Sequence, residues 1–504
     1  MRIAMLASEC EPYAKTGGLA DVVDALSRAL GRRGHDVDVY LPRYRGVAVD
    51  EGLVRREVLS VPFGQAPGAR RDPGDVASVD LLTLPGDGYR LRLVDYPEAF
   101  DRAGLYGEAG HDFPDNGGRF ALLGRAALEA MRAEGVAVDV LHGHDWQSAP
   151  GLLLLRHRYG DEPVLAGMAT ALTCHNLAYH GWTPRAEAWR LDLPARVGDA
   201  AGVDLLREGI AAAELVNTVS PTYARESQTP EYGAGLDDLL RARASRYSGI
   251  LNGLDTELWD PATDPVLAAR YRRRELDGKA RCKADLLARH GLSDGASERL
   301  GSGPGSWDER GAPLLGMIGR LDPQKGFDVV AAAAPALVAG GARLVVLGTG
   351  NDELIGGLQA FAAERADRVA VLDRFDRDEA RRIYAGCDLF LMPSRFEPSG
   401  QGQLIAQRYG TLPVVRATGG LADTVVDADA DPFRGDGFAF ATSVEPVAGL
   451  RDAVRRAVAA YRDAERWRRL QDVAMGRDHS WARPASEYEA LYGRAMTLRR
   501  AAGA

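Results

Sequence analysis

The sequence has few cysteines, no long hydrophobic run and no excess of basic residues. Its four cysteines are scattered, without a CxxC pair or a zinc-ligand spacing, which argues against a disulfide scaffold and favours a reducing compartment. No stretch of about 18 apolar residues is present that could cross a membrane as a helix. The net charge of −9 does not favour a nucleic acid as partner. We therefore expect a cytoplasmic protein that binds neither nucleic acid nor membranes.

The chain of 504 residues is too long for one ordinary core, and its strand and helix patterns form two series. Each series alternates apolar strands, glycine-containing or polar loops and helices, and the second starts near Pro313. This predicts an α/β fold with two doubly wound, Rossmann-like domains at 1–251 and 252–480. The segment 481–504 is predicted to be an amphipathic helix that crosses back to the first domain. The Gly- and Ser-rich segment 293–311 is expected to be an exposed loop.

The string TGGLAD occurs twice, at 16–21 and at 418–423, each time between a strand and a helix pattern. Glycines let a ligand approach the backbone closely, and the N-terminus of a helix favours an anion. Lys15, directly before the first copy, adds a positive charge. We predict that both copies bind a phosphate-containing ligand. The alternative is a generic strand-to-helix turn, repeated by chance or by an old duplication.

The densest set of candidate residues lies in 392–425. A polar loop with Arg395 and Glu397 follows a strand pattern, and Gly400 and Gly402 stand at the head of the next helix. A carboxylate beside an anion-binding helix terminus is suited to bind hydroxyl groups or to stabilise a cation. The alternative is that Glu397 caps the helix or pairs with Arg395.

Two further cations follow the first strand of the second series. Arg320 and Lys325 flank a turn that contains Pro323 and Gly326. A guanidinium and an ammonium group at one strand end can hold a diphosphate. The alternative is a solvated charged loop.

The first half contains the histidine-rich strings HGHDW and CHNLAYHG. His142, His144 and Asp145 could ligate a metal, but no further ligand with metal spacing is nearby, so no metal site is expected. Cys174 and His175 are unsuited as a nucleophile pair, because neighbours in a strand face opposite ways. We predict instead that Asp145 and His175, at strand ends, bind sugar hydroxyls.

Together these stretches carry a family likeness. The chain resembles bacterial glycogen synthases and plant starch synthases, the retaining glucosyltransferases of the ADP-glucose type. The matching strings run in family order from residue 1 to about 440: SECEPYAKTGGLADVVDAL, HGHDW, CHNLAYHG, VSPTYARE, ILNGLD, RLDPQKGFD and PSRFEPSG…YGTLPVVRATGGLADTV. The resemblance implies the GT-B fold, in which two Rossmann-like domains face each other across a deep cleft. The two TGGLAD copies would then lie on opposite walls of one active site.

The resemblance also implies residue roles. Glu397 would face the transferred glucose and stabilise its oxocarbenium charge, and Phe375 would stack on the adenine. The catalytic set is Glu397, Arg320, Lys325 and His175. The donor would be bound by Lys15, Gly17, Gly18, Phe375, Gly400, Gln401, Gly402, Thr418, Gly419 and Gly420. Sugar and acceptor would be bound by Asp21, Asp145, Asn176 and Asn252.

The implied reaction moves glucose from ADP-glucose to the non-reducing 4-hydroxyl of an α-1,4-glucan such as glycogen or a maltooligosaccharide, with retention. No metal or cofactor is expected, since fixed cations and helix dipoles would balance the charge on the departing diphosphate. Proton transfer to the leaving phosphate and a covalent intermediate are both open. The sequence gives no indication of the oligomeric state.

Other functions remain as alternatives. A related glucosyltransferase could use UDP-glucose or a small acceptor such as glucose 1-phosphate, and a catalytically silent glucan-binding protein belongs to another class. A nicotinamide oxidoreductase is not expected, because no GxGxxG follows the first strand. The chain departs from the family at Ser399, often a cysteine, at Gln401 and Gly402, and at Leu404, where broader relatives have a second glutamate. These departures leave the fine donor preference open.

Overall fold

The computed structural model divides into two compact units, Met1–Gly253 with Trp481–Ala504, and Leu254–Ser480. It describes residues 1–50, 52–62, 76–108, 110–295 and 310–503. Most of the loop predicted at 293–311 therefore lies outside the described residues. No helix in the described part of the chain combines the length and the apolar character needed to cross a bilayer.

The first unit is built on a large, mostly parallel sheet. Its strands are β1 (Arg2–Leu6), β2 (Asp36–Pro42), β3 (Arg55–Pro62), β4 (Val76–Pro85), β5 (Arg90–Asp95), β6 (Gly107–Glu108), β7 (His111–Asp112), β8 (Val140–His144), β9 (Ala169–Cys174), β10 (Trp182–Pro184), β11 (Gly202–Asp204), β12 (Leu215–Thr218) and β13 (Tyr247–Gly249). Within the described residues, nine of them form one sheet in the order β13-β12-β9-β8-β1-β2-β5-β4-β3. The β4 strand is antiparallel to its two neighbours β3 and β5, whereas the strands from β13 to β5 in this order are parallel to one another.

Helices cover this sheet and connect its parallel strands. They are α1 (Leu19–Arg32), α2 (Pro97–Phe100), α3 (Asn116–Glu134), α4 (Asp145–His157), α5 (Leu205–Ala212), α6 (Pro221–Glu226) and α7 (Asp237–Ala242), with 3₁₀ turns at Ala188–Leu191 and Ala244–Arg246. In α1, Val22, Val23, Leu26 and Leu30 are buried at helical spacing, which explains why this segment folds onto the sheet. The α3 helix ends at Gly135, whose φ of 68° is the left-handed conformation that favours glycine.

The second unit has a six-stranded parallel sheet. Its elements are α8 (Asp277–Arg289), β14 (Leu314–Ile318), α9 (Phe327–Ala339), β15 (Arg343–Gly348), α10 (Asp352–Glu364), β16 (Val369–Asp373), α11 (Arg377–Gly386), β17 (Leu389–Met392), α12 (Gly402–Arg408), β18 (Leu412–Arg416), α13 (Gly419–Thr424), β19 (Phe438–Phe440), α14 (Pro446–Arg462) and α15 (Ala464–Met475). The described strands are ordered β16-β15-β14-β17-β18-β19. Numbered along the chain, this is the 3-2-1-4-5-6 order of a Rossmann fold.

The last helix, α16 (Ala482–Gly503), belongs to the first unit, not the second. It packs against β8, β9 and β12 and against α1. Ala485, Tyr488, Tyr492 and Ala495 are fully buried on one of its faces. The first unit therefore combines segments from both ends of the chain.

Among the described strands, the parallel part of each large sheet has one point where the strand order reverses direction. In the first unit it lies between β1 and β8, and in the second between β14 and β17. Ligands of open α/β sheets bind outside the carboxyl ends of the strands at such a point. The loops after these strands carry most of the candidate residues.

Candidate active site

The first TGGLAD copy follows β1 and is held by a buried carboxylate. The side chain of Glu9 is 4% exposed and accepts hydrogen bonds from the backbone N–H of Thr16 at 2.6 Å and of Gly17 at 3.1 Å. The hydroxyl groups of Thr16, at 2.6 Å, and Tyr106, at 2.7 Å, also donate to it. Four donors on one carboxylate fix the conformation of the loop.

The glycines of this copy border open space. Gly18 precedes the first turn of α1, and a Cβ on Gly17 or Gly18 would have no atom within 4 Å. Lys15 pairs with Asp21 of that turn at 2.5 Å and with Glu11 at 3.4 Å. The copy therefore places a helix N-terminus and a partly exposed lysine beside unfilled space, as an anion site requires.

Asp145 and His175 lie at the ends of the neighbouring strands β8 and β9. Asp145 is the first residue of α4, with φ of 56°, and accepts the backbone N–H of His175 at 2.6 Å and of Asn176 at 3.4 Å. Burial raises the pKa of Asp145 to about 7, although both backbone donors act in the opposite direction. Burial lowers the pKa of His175 to about 3, so its imidazole is neutral near pH 7. These polar groups lie together at the carboxyl ends of two adjacent strands, which we call the carboxyl edge of the sheet.

A row of histidines extends from this edge into the core. His144 Nδ1 lies 3.0 Å from His175 Nε2, and the rings of His142 and His144 are 4.2 Å apart. Burial raises the pKa of the neighbouring Cys174 thiol well above its usual range, which makes it a poor nucleophile. Asn252 is buried and follows β13, the edge strand of this sheet. Among the described residues, no group of three or more His, Cys, Asp or Glu side chains could hold a metal ion.

In the second unit, Lys325 and Glu397 form a direct ion pair. Lys325 follows β14 and Glu397 follows β17, the two strands at the reversal point. The Lys325 ammonium donates to the Glu397 carboxylate at 2.6 Å, and Ser394 Oγ donates to the same oxygen at 3.2 Å. The Glu397 side chain is almost fully buried, while Lys325 is about one-third exposed. A partly exposed lysine thus neutralises the charge of a buried carboxylate.

The other charged residues of these loops pair with carboxylates other than Glu397. Arg395 makes a two-bond pair with Asp328 at 2.8 and 2.6 Å, so Glu397 does not pair with Arg395 as the alternative had it. Arg320 is exposed and donates to Asp322 at 2.6 Å. Asp322 also accepts the backbone N–H of Lys325 at 2.9 Å. Asp322 therefore connects both predicted cations.

The second TGGLAD copy packs against the Glu397 loop. The backbone N–H of Gly420 donates to the carbonyl oxygen of Glu397 at 2.9 Å. A Cβ on Gly419 would lie 2.1 Å from that oxygen, and one on Gly420 would lie 2.0 Å from the carbonyl oxygen of Ser399. Glycine is thus required here for contact between two loops. Thr418, which precedes α13, is fully buried.

The remaining candidates lie along the same sheet edge. Gly400 has φ of 70°, and Gln401 and Gly402 lead into α12. A Cβ on Gly402 would come within 2.9 Å of the Phe390 ring, so this glycine also has a packing role. Phe375 follows β16 and is 78% exposed. A large exposed aromatic ring is available for stacking.

Comparisons with known proteins agree with this arrangement. Residues 2–242 match the family model of the starch synthase catalytic domain, and 312–459 match that of glycosyl transferases group 1. A glycogen synthase of Anaeromyxobacter dehalogenans (strain 2CP-C) is 45% identical over 98% of this chain and 99% of its own. A glycogen synthase of Alkalilimnicola ehrlichii is 44% identical over 98% of each. The chain belongs to the glycogen synthase and starch synthase family.

A solved structure shows the same fold. The catalytic domain of starch synthase IV from Arabidopsis thaliana, bound to ADP and acarbose, has a TM-score of 0.85 and 34% identity, over 98% of this chain and 99% of that one. The predicted family, the GT-B fold class with two Rossmann-like domains and the glycosyltransferase class are thereby confirmed. The individual residue roles stay predictions.

Sequence reasoning missed several residues that organise the site. Glu9 holds the first glycine loop, and Tyr106 donates to Glu9 from 97 positions away. Ser394 and Asp322 support the second unit's ion pair. A signal existed for Glu9, a carboxylate three residues after the end of β1. Tyr106 had none, because its partner is distant in sequence.

Proposed function

We propose that the chain transfers the glucosyl group of ADP-glucose to the non-reducing 4-hydroxyl of an α-1,4-glucan, with retention at the anomeric carbon. The observation that carries this proposal is the Lys325–Glu397 pair at the strand-order reversal of the second unit. Family membership supports the reaction class, and the ADP and acarbose bound to the starch synthase IV structure support a nucleotide and a glucan as ligands.

In this reaction the bond from glucose C1 to the diphosphate oxygen breaks and its electron pair leaves with ADP. A bond forms between C1 and the acceptor 4-oxygen, and the proton of that hydroxyl is released with ADP. Negative charge grows on the diphosphate, which Lys325 and Arg320 would stabilise together with helix N-termini. Positive charge grows on the sugar, which the Glu397 carboxylate would stabilise. Lys325 already neutralises Glu397, so the incoming diphosphate would share this ammonium with the carboxylate.

The residues of the first unit would bind the other ligand groups. Lys15 and the backbone of Gly17 and Gly18 border open space suited to phosphate. Asp145, a carboxylate at the start of a helix, and the neutral His175 would bind sugar hydroxyls. Asp21, Asn176 and Asn252 complete the sugar-binding set, and Phe375 of the second unit would stack on adenine.

The test is a panel of donors and acceptors with purified protein. ADP-glucose with a maltooligosaccharide should give ADP and an oligosaccharide one glucose longer, and proton NMR should show an α-linkage. Faster transfer from UDP-glucose, or to glucose 1-phosphate, would replace the proposed donor or acceptor. Glucan binding without turnover from any donor would instead identify a silent binding protein.

We also propose that the reaction needs no metal and no cofactor. Lysine, arginine and helix N-termini supply the positive charge that a metal would otherwise provide. EDTA should then leave the rate unchanged. A rate that falls with EDTA and recovers with a divalent cation would contradict this.

A cytoplasmic location is proposed on the state of the cysteines. Cys10, Cys174, Cys282 and Cys387 are all free and buried. Free thiols without disulfides are typical of a reducing compartment. Fractionation of the native host with an antibody against the chain would test this.

A further inference from the structure

The C-terminal helix α16 reaches the histidine row behind the sugar-binding edge. Tyr492 Oη lies 2.9 Å from His142 Nδ1, and His142 Nε2 lies 2.7 Å from Thr173 Oγ1. Tyr488 Oη accepts from Asn217 Nδ2 at 3.2 Å. All five side chains are fully buried. One arrangement of protons is the most stable in such a network, because each buried polar group without a hydrogen-bond partner costs free energy.

The partners determine this arrangement, starting at Asn217. Its Nδ2 lies 3.4 Å from the carbonyl oxygen of Thr218, so a flipped amide would place two acceptors against each other. With the amide so oriented, Thr173 Oγ1 donates to Asn217 Oδ1 at 2.8 Å. The Thr173 oxygen is then an acceptor for His142, whose proton must be on Nε2. His142 Nδ1 is left with a lone pair, to which Tyr492 donates.

The next ring along the row is His144. Its Nε2 is buried without a hydrogen-bond partner among the described residues. An unpaired buried N–H costs more than an unpaired lone pair, so the proton of His144 belongs on Nδ1. His144 Nδ1 then donates to His175 Nε2 at 3.0 Å. The neutral His175 consequently carries its own proton on Nδ1.

We propose that Tyr492 is a positioning residue for His175. It fixes the tautomer and ring plane of His142, whose ring packs 4.2 Å from that of His144 and so holds the plane in which His144 Nδ1 donates to His175. His175 then presents a hydrogen-bond donor, and not an acceptor, to a sugar oxygen. This inference rests on the sugar-binding role proposed for His175, and it adds a residue more than 300 positions away that holds the ring hydrogen-bonded to His175 in place.

The direct test reads the tautomers. In protein labelled with ¹⁵N-histidine, the protonated and lone-pair nitrogens of a neutral imidazole have well-separated shifts, and His→Gln variants assign the signals. We expect the proton of His142 on Nε2 and that of His175 on Nδ1. Tyr492→Phe should change the His142 and His175 signals. A proton on His175 Nε2 in the unmodified protein would overturn the proposal, whatever the substrate.

Kinetics then separate positioning from general destabilisation. Tyr492→Phe should lower kcat/KM about tenfold, the loss expected if a displaced His175 no longer makes its hydrogen bond to the sugar. The matched control is Tyr247→Phe, which removes a buried 2.8 Å hydrogen bond to Ser227 in the same unit and should leave kcat/KM unchanged. In a His175→Ala background, Tyr492→Phe should have almost no further effect. An undiminished tenfold loss there, or an equal loss in the control, would show that Tyr492 acts only on stability.

Discussion

The two TGGLAD copies have the same six residues and use their glycines for different purposes. In the first copy, a Cβ on Gly17 or Gly18 would meet nothing within 4 Å, and the loop is held from behind by Glu9. In the second, a Cβ on Gly420 would lie 2.0 Å from a carbonyl oxygen of the Glu397 loop. The first copy keeps space free, whereas the second fills it with its own backbone. Identical sequence therefore does not imply an identical role.

The helices that follow the copies differ as well. The first opens α1, of 14 residues, with Asp21 in its first turn bound to Lys15. The second opens α13, of only six residues, which starts at Gly419 with φ of 45°. The longer helix has the better-developed dipole for an anion. The short one mainly packs against the loop that carries Glu397.

The largest effect is expected at the residue that the second copy supports. Glu397→Gln should reduce kcat by at least about 10²-fold, because it removes a charge that stabilises the transition state. Circular dichroism and thermal melting should show a folded protein. Turnover close to that of the unmodified protein would mean that the second copy supports a merely structural loop.

A matched pair of glycine variants tests the comparison itself. Gly420→Ala should push the Ser399 carbonyl away, destabilise the fold by about 1–3 kcal/mol and lower kcat by up to about 10²-fold. Gly18→Ala should cost less than about 1 kcal/mol and should raise the KM for ADP-glucose, since the added methyl enters open space. Thermal melting and steady-state kinetics measure both. Equal losses of stability in the two variants would contradict the conclusion that only the second copy needs its glycine for packing.

The cations beside the second copy should affect nucleotide binding. Lys325→Ala and Arg320→Ala should each weaken ADP about tenfold, the loss expected for one charged hydrogen bond. Arg289→Ala is the control, because it removes an i,i+4 surface pair in the same unit. Titration calorimetry with ADP gives the affinities. If all three variants bind ADP alike, Lys325 and Arg320 do not bind the nucleotide.

The smallest effect is expected from the support of the first copy. Glu9→Gln keeps the shape of the side chain and one acceptor oxygen for the N–H groups of Thr16 and Gly17, but it removes the negative charge and replaces the oxygen that accepts from the Thr16 and Tyr106 hydroxyl groups by an amide nitrogen. The loop should loosen and the KM for ADP-glucose should rise about fivefold, with kcat little changed, because one hydrogen bond to a charged group is lost. A fall in kcat with unchanged KM would contradict a binding role.

The sequence predicted those features that arise locally. Strand ends, glycine turns and helix starts are set by neighbouring residues, so both doubly wound domains and the helices after both TGGLAD copies could be predicted. Contacts between distant segments could not. The lysine partner of Glu397 lies 72 positions away, and Tyr492 lies 350 positions from His142. Nor does sequence distinguish a glycine next to open space from one next to a carbonyl group.

The position of α16 has a consequence for how the protein is made. The first unit needs this helix to cover the polar side chains of β8, β9 and β12, yet the whole second unit is translated before it. During translation, the first 253 residues are therefore without α16, which leaves Asn217 and His142 uncovered. This lasts until the second unit has been synthesised, and the second unit can fold in the meantime. Docking of α16 pairs residues of very high sequence separation, which makes it a slow step. A nascent chain stalled before Ala482 should therefore have a first unit more sensitive to protease than the released protein.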